Sequence, residues 1–285
     1  MSTSAMTKTF ATLGLSLGLA VLSMGSALAY NTTLSSTGTN RYAQADVQIG
    51  SYAKPGQSMG ATLVNDSSAN TSFWVYCIDP LTTSKLSNTY ATSTLDAFMG
   101  VTLGANGSAS SGNGAASGYK TLYTSGPYAV ADNYEYQSGT VALYNNLVEL
   151  YNYAYKDSLT SNTKSAAFQY VLWELLGDAS SNVADPTKNG GAYIGASSNS
   201  AYEAVRTQAE KYLDALNNAN ESFWTSSLGL TKSAYNFTVY KSTSSPTSQA
   251  FVSVTDKVSN VPEPGSIALA FAAFGAVAYT RRRKQ

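Results

Sequence analysis

The period of the apolar residues changes twice along this 285-residue chain, and that change limits the fold to an α+β arrangement. Over 46–49, 61–64 and 72–78, β-branched or aromatic residues alternate with polar ones between Gly, Asn and Pro, which predicts strands, the third ended by Asp79-Pro80. The period then becomes helical. Over 140–156, Leu143, Leu147, Leu150, Tyr151 and Ala154 recur at spacings of three and four. Over 163–176 two adjacent apolar stripes, Ala167-Val171-Leu175 and Phe168-Leu172-Leu176, leave almost no polar side, which predicts a buried helix. Over 200–217, Tyr202, Val205, Ala209, Leu213 and Leu216 repeat, with Glu203 and Glu210 facing solvent. The period returns to two at Tyr235, Phe237 and Val239 and again at Phe251, Val252 and Val254. Strands, helices and strands follow one another without βαβ alternation. The stretch 104–118 holds only Gly, Ser, Ala and Asn, with no large apolar side chain, and predicts a mobile insertion.

Both ends of the chain read as addresses rather than as parts of this domain. Residues 1–29 carry Lys8, an apolar run from Phe10 to Met24, and Ala27-Leu28-Ala29, the three parts of a secretory signal with cleavage expected before Tyr30. At the other end, Pro262-Glu263-Pro264 precedes an apolar run over 266–280 and then Arg281, Arg282, Arg283 and Lys284. Fifteen such residues in a helix reach about 22 Å, a short span with its basic end in the cytoplasm. This tail resembles the PEP-CTERM sorting signal of Gram-negative bacteria. The resemblance implies recognition by an exosortase, cleavage near Pro262-Glu263-Pro264, a transient stay in the inner membrane as a transmembrane helix, and delivery to the cell surface or an exopolysaccharide biofilm matrix. The expected division is therefore a signal peptide at 1–29, a working domain at 30–260 and a sorting signal at 261–285.

Inventory removes several chemistries. The chain has no histidine and one cysteine, which excludes a Ser-His-Asp triad, a Cys-His dyad, an HExxH zinc site and any intrachain disulfide. The 17 basic and 17 acidic side chains balance, so nothing suggests nucleic-acid binding. Without the signal and everything from Glu263 on, 12 basic and 16 acidic residues remain, and the working domain carries a net charge of about −4. No metal-ligand spacing is present, and the reading calls for no metal or cofactor. The tyrosines, 21 in all, mostly occupy periodic positions and read as core.

Two residues are unusual for their places. Cys77, in Tyr76-Cys77-Ile78-Asp79, is a lone thiol in an exported chain, where thiols oxidise or exchange. Gln169, in Phe168-Gln169-Tyr170-Val171-Leu172-Trp173-Glu174, is an amide inside an apolar helix, where leaving it without a partner costs about 1–3 kcal/mol. One chemistry accounts for both: attack of the thiolate on the amide carbonyl with loss of ammonia, giving an internal thioester. An incoming amine or hydroxyl then opens that electrophile and stays attached. Such a protein reacts once and is not an enzyme.

The Cys77 and Gln169 segments, some ninety residues apart, together with the helices before and after Gln169, resemble the thioester domain of bacterial surface adhesins over roughly 40–220. The resemblance implies β-sandwich or barrel-like strands with an inserted helical subdomain, Cys77 as the thioester sulfur and Gln169 as the acyl donor. Phe168 stands where many members carry Thr. Trp173, one turn after Gln169, would pack over the bond, although it and Trp74 read first as core aromatics, a role compatible with shielding. Tyr76 is a neighbour of the thiol. Asp79 either ends its strand or serves the chemistry, and Glu174 is either a solvated helix residue or a general base. The function expected is covalent attachment of a surface-sorted adhesion or matrix protein to a polysaccharide or protein nucleophile, with signal peptidase and exosortase as partners during export. The alternative is a non-covalent structural or carbohydrate-binding matrix protein.

Overall fold

The computed structural model describes residues 30–49, 52–78, 84–112, 140–177, 192–194, 197–218, 221–244 and 248–257. Strands β1 (Asn31–Ile49) and β2 (Tyr52–Asp66) make a long antiparallel hairpin, in register from Leu34 opposite Asp66 to Ile49 opposite Tyr52. They run well past the predicted segments. Their outer parts, rich in Ser, Thr and Gln, are exposed and show no apolar alternation for a sequence reading to find. Gly60 sits within β2 at φ +139°, and a Cβ there would run into the Arg41 carbonyl oxygen of β1, so glycine is required for the close approach.

β3 (Thr71–Cys77) and β4 (Thr89–Ser93) follow, then the short helix α1 (Leu95–Met99) and a small hairpin of β5 (Val101–Leu103) with β6 (Ala109–Gly112). That hairpin takes in residues 104–112 of the stretch expected as an insertion. Ala109 is buried, and its N–H donates to Asn145 Oδ1 at 2.9 Å. Backbone pairing and a helix side chain do there what apolar burial cannot. Residues 113–118 of that stretch lie outside the described residues.

Helices α2 (Thr140–Ser158) and α3 (Asn162–Gly177) come next, then β7 (Ala192–Ile194), α4 (Ser200–Asn217) and a π-helical turn at Phe223–Ser227, before β8 (Tyr235–Ser242) and β9 (Phe251–Asp256). The three long helices match the expected ones to within two residues at each end. Asn199 caps α4, its Oδ1 accepting from the Ala201 N–H at 3.0 Å, and Arg206 pairs with Glu203 and Glu210 on the outer face.

The protein is α+β: six strands pair antiparallel in the order β1-β2-β3-β9-β8-β4, and β4 pairs again with Asn31–Thr33 at the start of β1. β7 adds to the far end of β1. The helical segment leaves the sheet after β4 and returns at β8, which is β4's neighbour. α3 is enclosed by β1, β2, α2 and α4, so its residues are buried all round from Ala166 to Leu175. The core between helices and sheet is aromatic. Tyr76 of β3 packs on Phe168 with ring centroids 4.5 Å apart and meets Tyr151 and Tyr155 edge-on, while Trp224 stacks on Tyr153 and donates its indole N–H to Glu149 at 2.8 Å.

Among the described residues no helix is long and apolar enough to cross a membrane. The signal at 1–29 and the sorting elements at 261–285, including Pro262, Glu263, Pro264, Arg281, Arg282 and Arg283, lie outside the described residues.

Candidate functional site

The site forms where β3 changes partner. Its first part pairs with β2 as far as Val75 opposite Thr62, and its end pairs with β9, Cys77 lying opposite Phe251. Continuing the β2–β3 register would set Gly60 against Cys77, but the pairing of these two strands stops at Val75 opposite Thr62. The Cys77 peptide is thereby deserted on its β2 side, and a buried N–H and C=O without partners cannot be left there.

Gln169 takes the place of the missing strand. Its Oε1 accepts from the Cys77 N–H at 2.8 Å, and its Nε2 donates to the Cys77 carbonyl at 2.5 Å. Trp173, one turn further along α3, donates its indole N–H to that same carbonyl at 3.1 Å. Cys77, Gln169 and Trp173 are 8%, 1% and 4% exposed. The two residues singled out by composition, ninety-two positions apart, are thus held in direct contact, with the amide carbon of Gln169 beside the residue that bears the thiol.

A second set of hydrogen bonds fixes the register of α3 on the sheet. Ser165, one turn before Gln169, accepts from the Ala61 N–H at 2.9 Å and bonds the Tyr76 hydroxyl at 3.0 Å. Tyr76 donates to Ser158 Oγ at 2.7 Å, and Ser158 donates to the Tyr155 carbonyl at 2.6 Å. Burial pushes the Tyr76 hydroxyl well above the usual tyrosine range, so it stays protonated and able to donate. Nothing in the sequence marks Ser165 except its four-residue offset from Gln169.

The remaining expected neighbours separate. Tyr76 packs on Phe168 and bonds Ser158 and Ser165 as a buried core residue, and it does not line the cavity beside Cys77. Trp74 is half-buried with the Arg41 guanidinium 6.0 Å above its ring and does not border Cys77. Glu174 is fully buried and accepts from the Tyr170 hydroxyl at 2.6 Å, which corrects its reading as a solvated residue; it lies outside the Cys77 cavity. The fold places it inward because α3 has no solvent side. Asp79 lies outside the described residues.

Cys77, Gln169 and Trp173 border a cavity of about 270 Å³ whose other walls come from β1, β2, β9 and the approach to β9: Tyr42, Gln57, Ser58, Gly60, Gln249 and Phe251 among them. Sequence reasoning missed these wall residues, since no motif links them. Among the described residues no group of acidic or thiol side chains could hold a metal ion. Comparison with known proteins gives no match to any family model, curated protein or solved structure.

Proposed function

We propose that this is an exported, surface-sorted adhesion or matrix protein whose Cys77 and Gln169 close an internal thioester, in a barrel-like, thioester-domain-like fold. The observation that carries the reading is the grip of the Gln169 amide on Cys77 at a buried strand end beside a cavity. In the closing step the Cys77 sulfur bonds to the amide carbon of Gln169, the bond from that carbon to Nε2 breaks, and the thiol proton leaves with the nitrogen as ammonia. The Cys77 N–H already donates to Oε1, the atom on which negative charge develops, so the donor is in place before the step. Trp173 covers the bond and limits hydrolysis. A target amine or hydroxyl then bonds to the same carbon as the carbon–sulfur bond breaks, its proton passing to the thiolate. Export by signal peptidase and processing by an exosortase deliver the domain to the surface.

A second reading has a specific observation of its own: both polar atoms of Gln169 are hydrogen-bonded with the amide intact, so the fold does not need the bond to satisfy them. On that reading the protein is a non-covalent matrix component.

Intact mass of the chain recovered from the surface of a Gram-negative host with an exosortase tests both parts. The expected species is lighter by one ammonia, gains one methylamine on treatment and ends before Arg281, and the Cys77→Ala and Gln169→Ala variants show neither mass change. Full mass with an alkylated Cys77 sinks the thioester; a retained Arg281–Gln285 segment sinks the sorting.

A further inference from the structure

The cavity beside Cys77 has a consistent chemistry. Among the described residues that line it there is no Asp, Glu, Lys or Arg. Its polar side chains are amides and hydroxyls: Gln57, Ser58, Ser84 and Gln249, of types that donate and accept, with the Gln169 amide and Thr62 hydroxyl already engaged by Cys77 and Tyr42. Its apolar walls are the rings of Tyr42, Trp173 and Phe251 with the side chains of Met59 and Val75. Trp173 has its N–H committed to the Cys77 carbonyl, which fixes the ring and leaves its carbon surface to the cavity. Tyr42 is 37% exposed, one of three large hydrophobic residues left so among those described, and its hydroxyl is bonded to Thr62 rather than to water.

Such walls suit a ligand that is neutral, carries many hydroxyls and has a carbon–hydrogen face. An ammonium or guanidinium entering would give up its water for walls that hold no carboxylate among the described residues, a costly exchange. A sugar ring instead lays its C–H face on an aromatic and offers hydroxyls to amides. The volume lies at the small end of ligand pockets, room for one ring unit rather than an enclosed chain.

We propose that this cavity recognises a neutral sugar unit of a glycan and discriminates against lysine and arginine side chains. The inference deepens the proposed function by naming what the site holds, and it depends on that reading only for covalent capture, since Tyr42, Gln57, Ser84, Gln249 and Phe251 take no part in the bond.

The test uses the full-length secreted chain and its Cys77→Ser variant, which cannot close a thioester. Saturation-transfer NMR measures binding of maltohexaose, cellohexaose and chitohexaose, with hexalysine as the cationic probe. At least one neutral glycan should bind both proteins while hexalysine does not, and Tyr42→Ala or Gln249→Ala should weaken binding tenfold or more with an unchanged thermal midpoint. Binding of hexalysine in preference, no binding of any glycan, or no effect of either substitution overturns the inference. Glycan binding by a chain at full mass leaves this inference standing and removes the thioester; loss of ammonia with capture of hexalysine alone does the reverse.

Discussion

At the scale of single residues, the site depends on polar groups that have nowhere else to go. Ser165 holds two partners from two strands, the Ala61 N–H of β2 and the Tyr76 hydroxyl of β3, and it sits one helical turn from Gln169. Ser165→Ala leaves a buried N–H without its acceptor and is expected to cost about 1–3 kcal/mol. Because the lost bonds set how α3 lies against β3, the fraction of chain lighter by one ammonia should fall by more than the loss of folded protein explains. Denaturant midpoints and intact masses of the same preparation separate the two effects, and Ser165→Thr should restore both if it keeps the hydroxyl. A variant with lowered stability but a full complement of thioester would show that Ser165 is structural only.

At the scale of elements, β2 and α3 are fitted to each other through Gly60. A side chain at that position meets the Arg41 carbonyl and comes within 3.0 Å of Ser165 Oγ, and the backbone there has φ +139°. Gly60→Ala should therefore destabilise by about 2–4 kcal/mol, read as a drop in denaturant midpoint at constant slope. A change of under about 0.5 kcal/mol would mean that the strand relaxes without cost, and that the divergence of β2 from β3 at Cys77 is not held by this glycine. The helices themselves were legible from their periodicity, α2, α3 and α4 all falling where the apolar spacing set them. The ends of β1 and β2 were not, because polar side chains on an exposed ribbon carry no apolar period.

At the scale of the whole molecule, the core is built on tyrosine in a chain with no histidine, and this sets its response to pH. Burial pushes Tyr90 and Tyr144 up to about 12, and Tyr76, Tyr151, Tyr155, Tyr212 and Tyr240 are raised by the same cause. In the unfolded chain tyrosine ionises near pH ~10. The native state therefore holds protons that the unfolded state has lost, and the stability from these groups is full below about pH 10 and declines as pH rises through about 12. Asp66 acts at the acid end. Burial raises its pKa, but the hydrogen bonds from Thr32, Ala69, Ser68 and Tyr30 outweigh that and hold it below the ordinary carboxylate range, so its contribution is lost only as pH falls past that range. The thermal midpoint is expected to be flat across the neutral range and to fall steeply above pH ~10, with tyrosinate absorbance of the buried rings growing together with loss of near-ultraviolet circular dichroism. Ionisation of those rings well before the dichroism changes would contradict the picture.

The sequence by itself determined the α+β class, the three long helices and the oddity of two residues, because period and composition are local properties that each segment carries with it. It also drew attention to Cys77 and Gln169 as a pair, since a lone thiol and a buried amide each need an explanation and one reaction supplies both. Only the tertiary structure decided that Gln169 meets the main chain of Cys77, because that contact follows from where β2 leaves β3 and α3 fills the gap. The cavity walls were decided there too: Tyr42, Gln57, Gln249 and Phe251 come from separate elements, and no spacing along the chain records that pairing order brings them to one place.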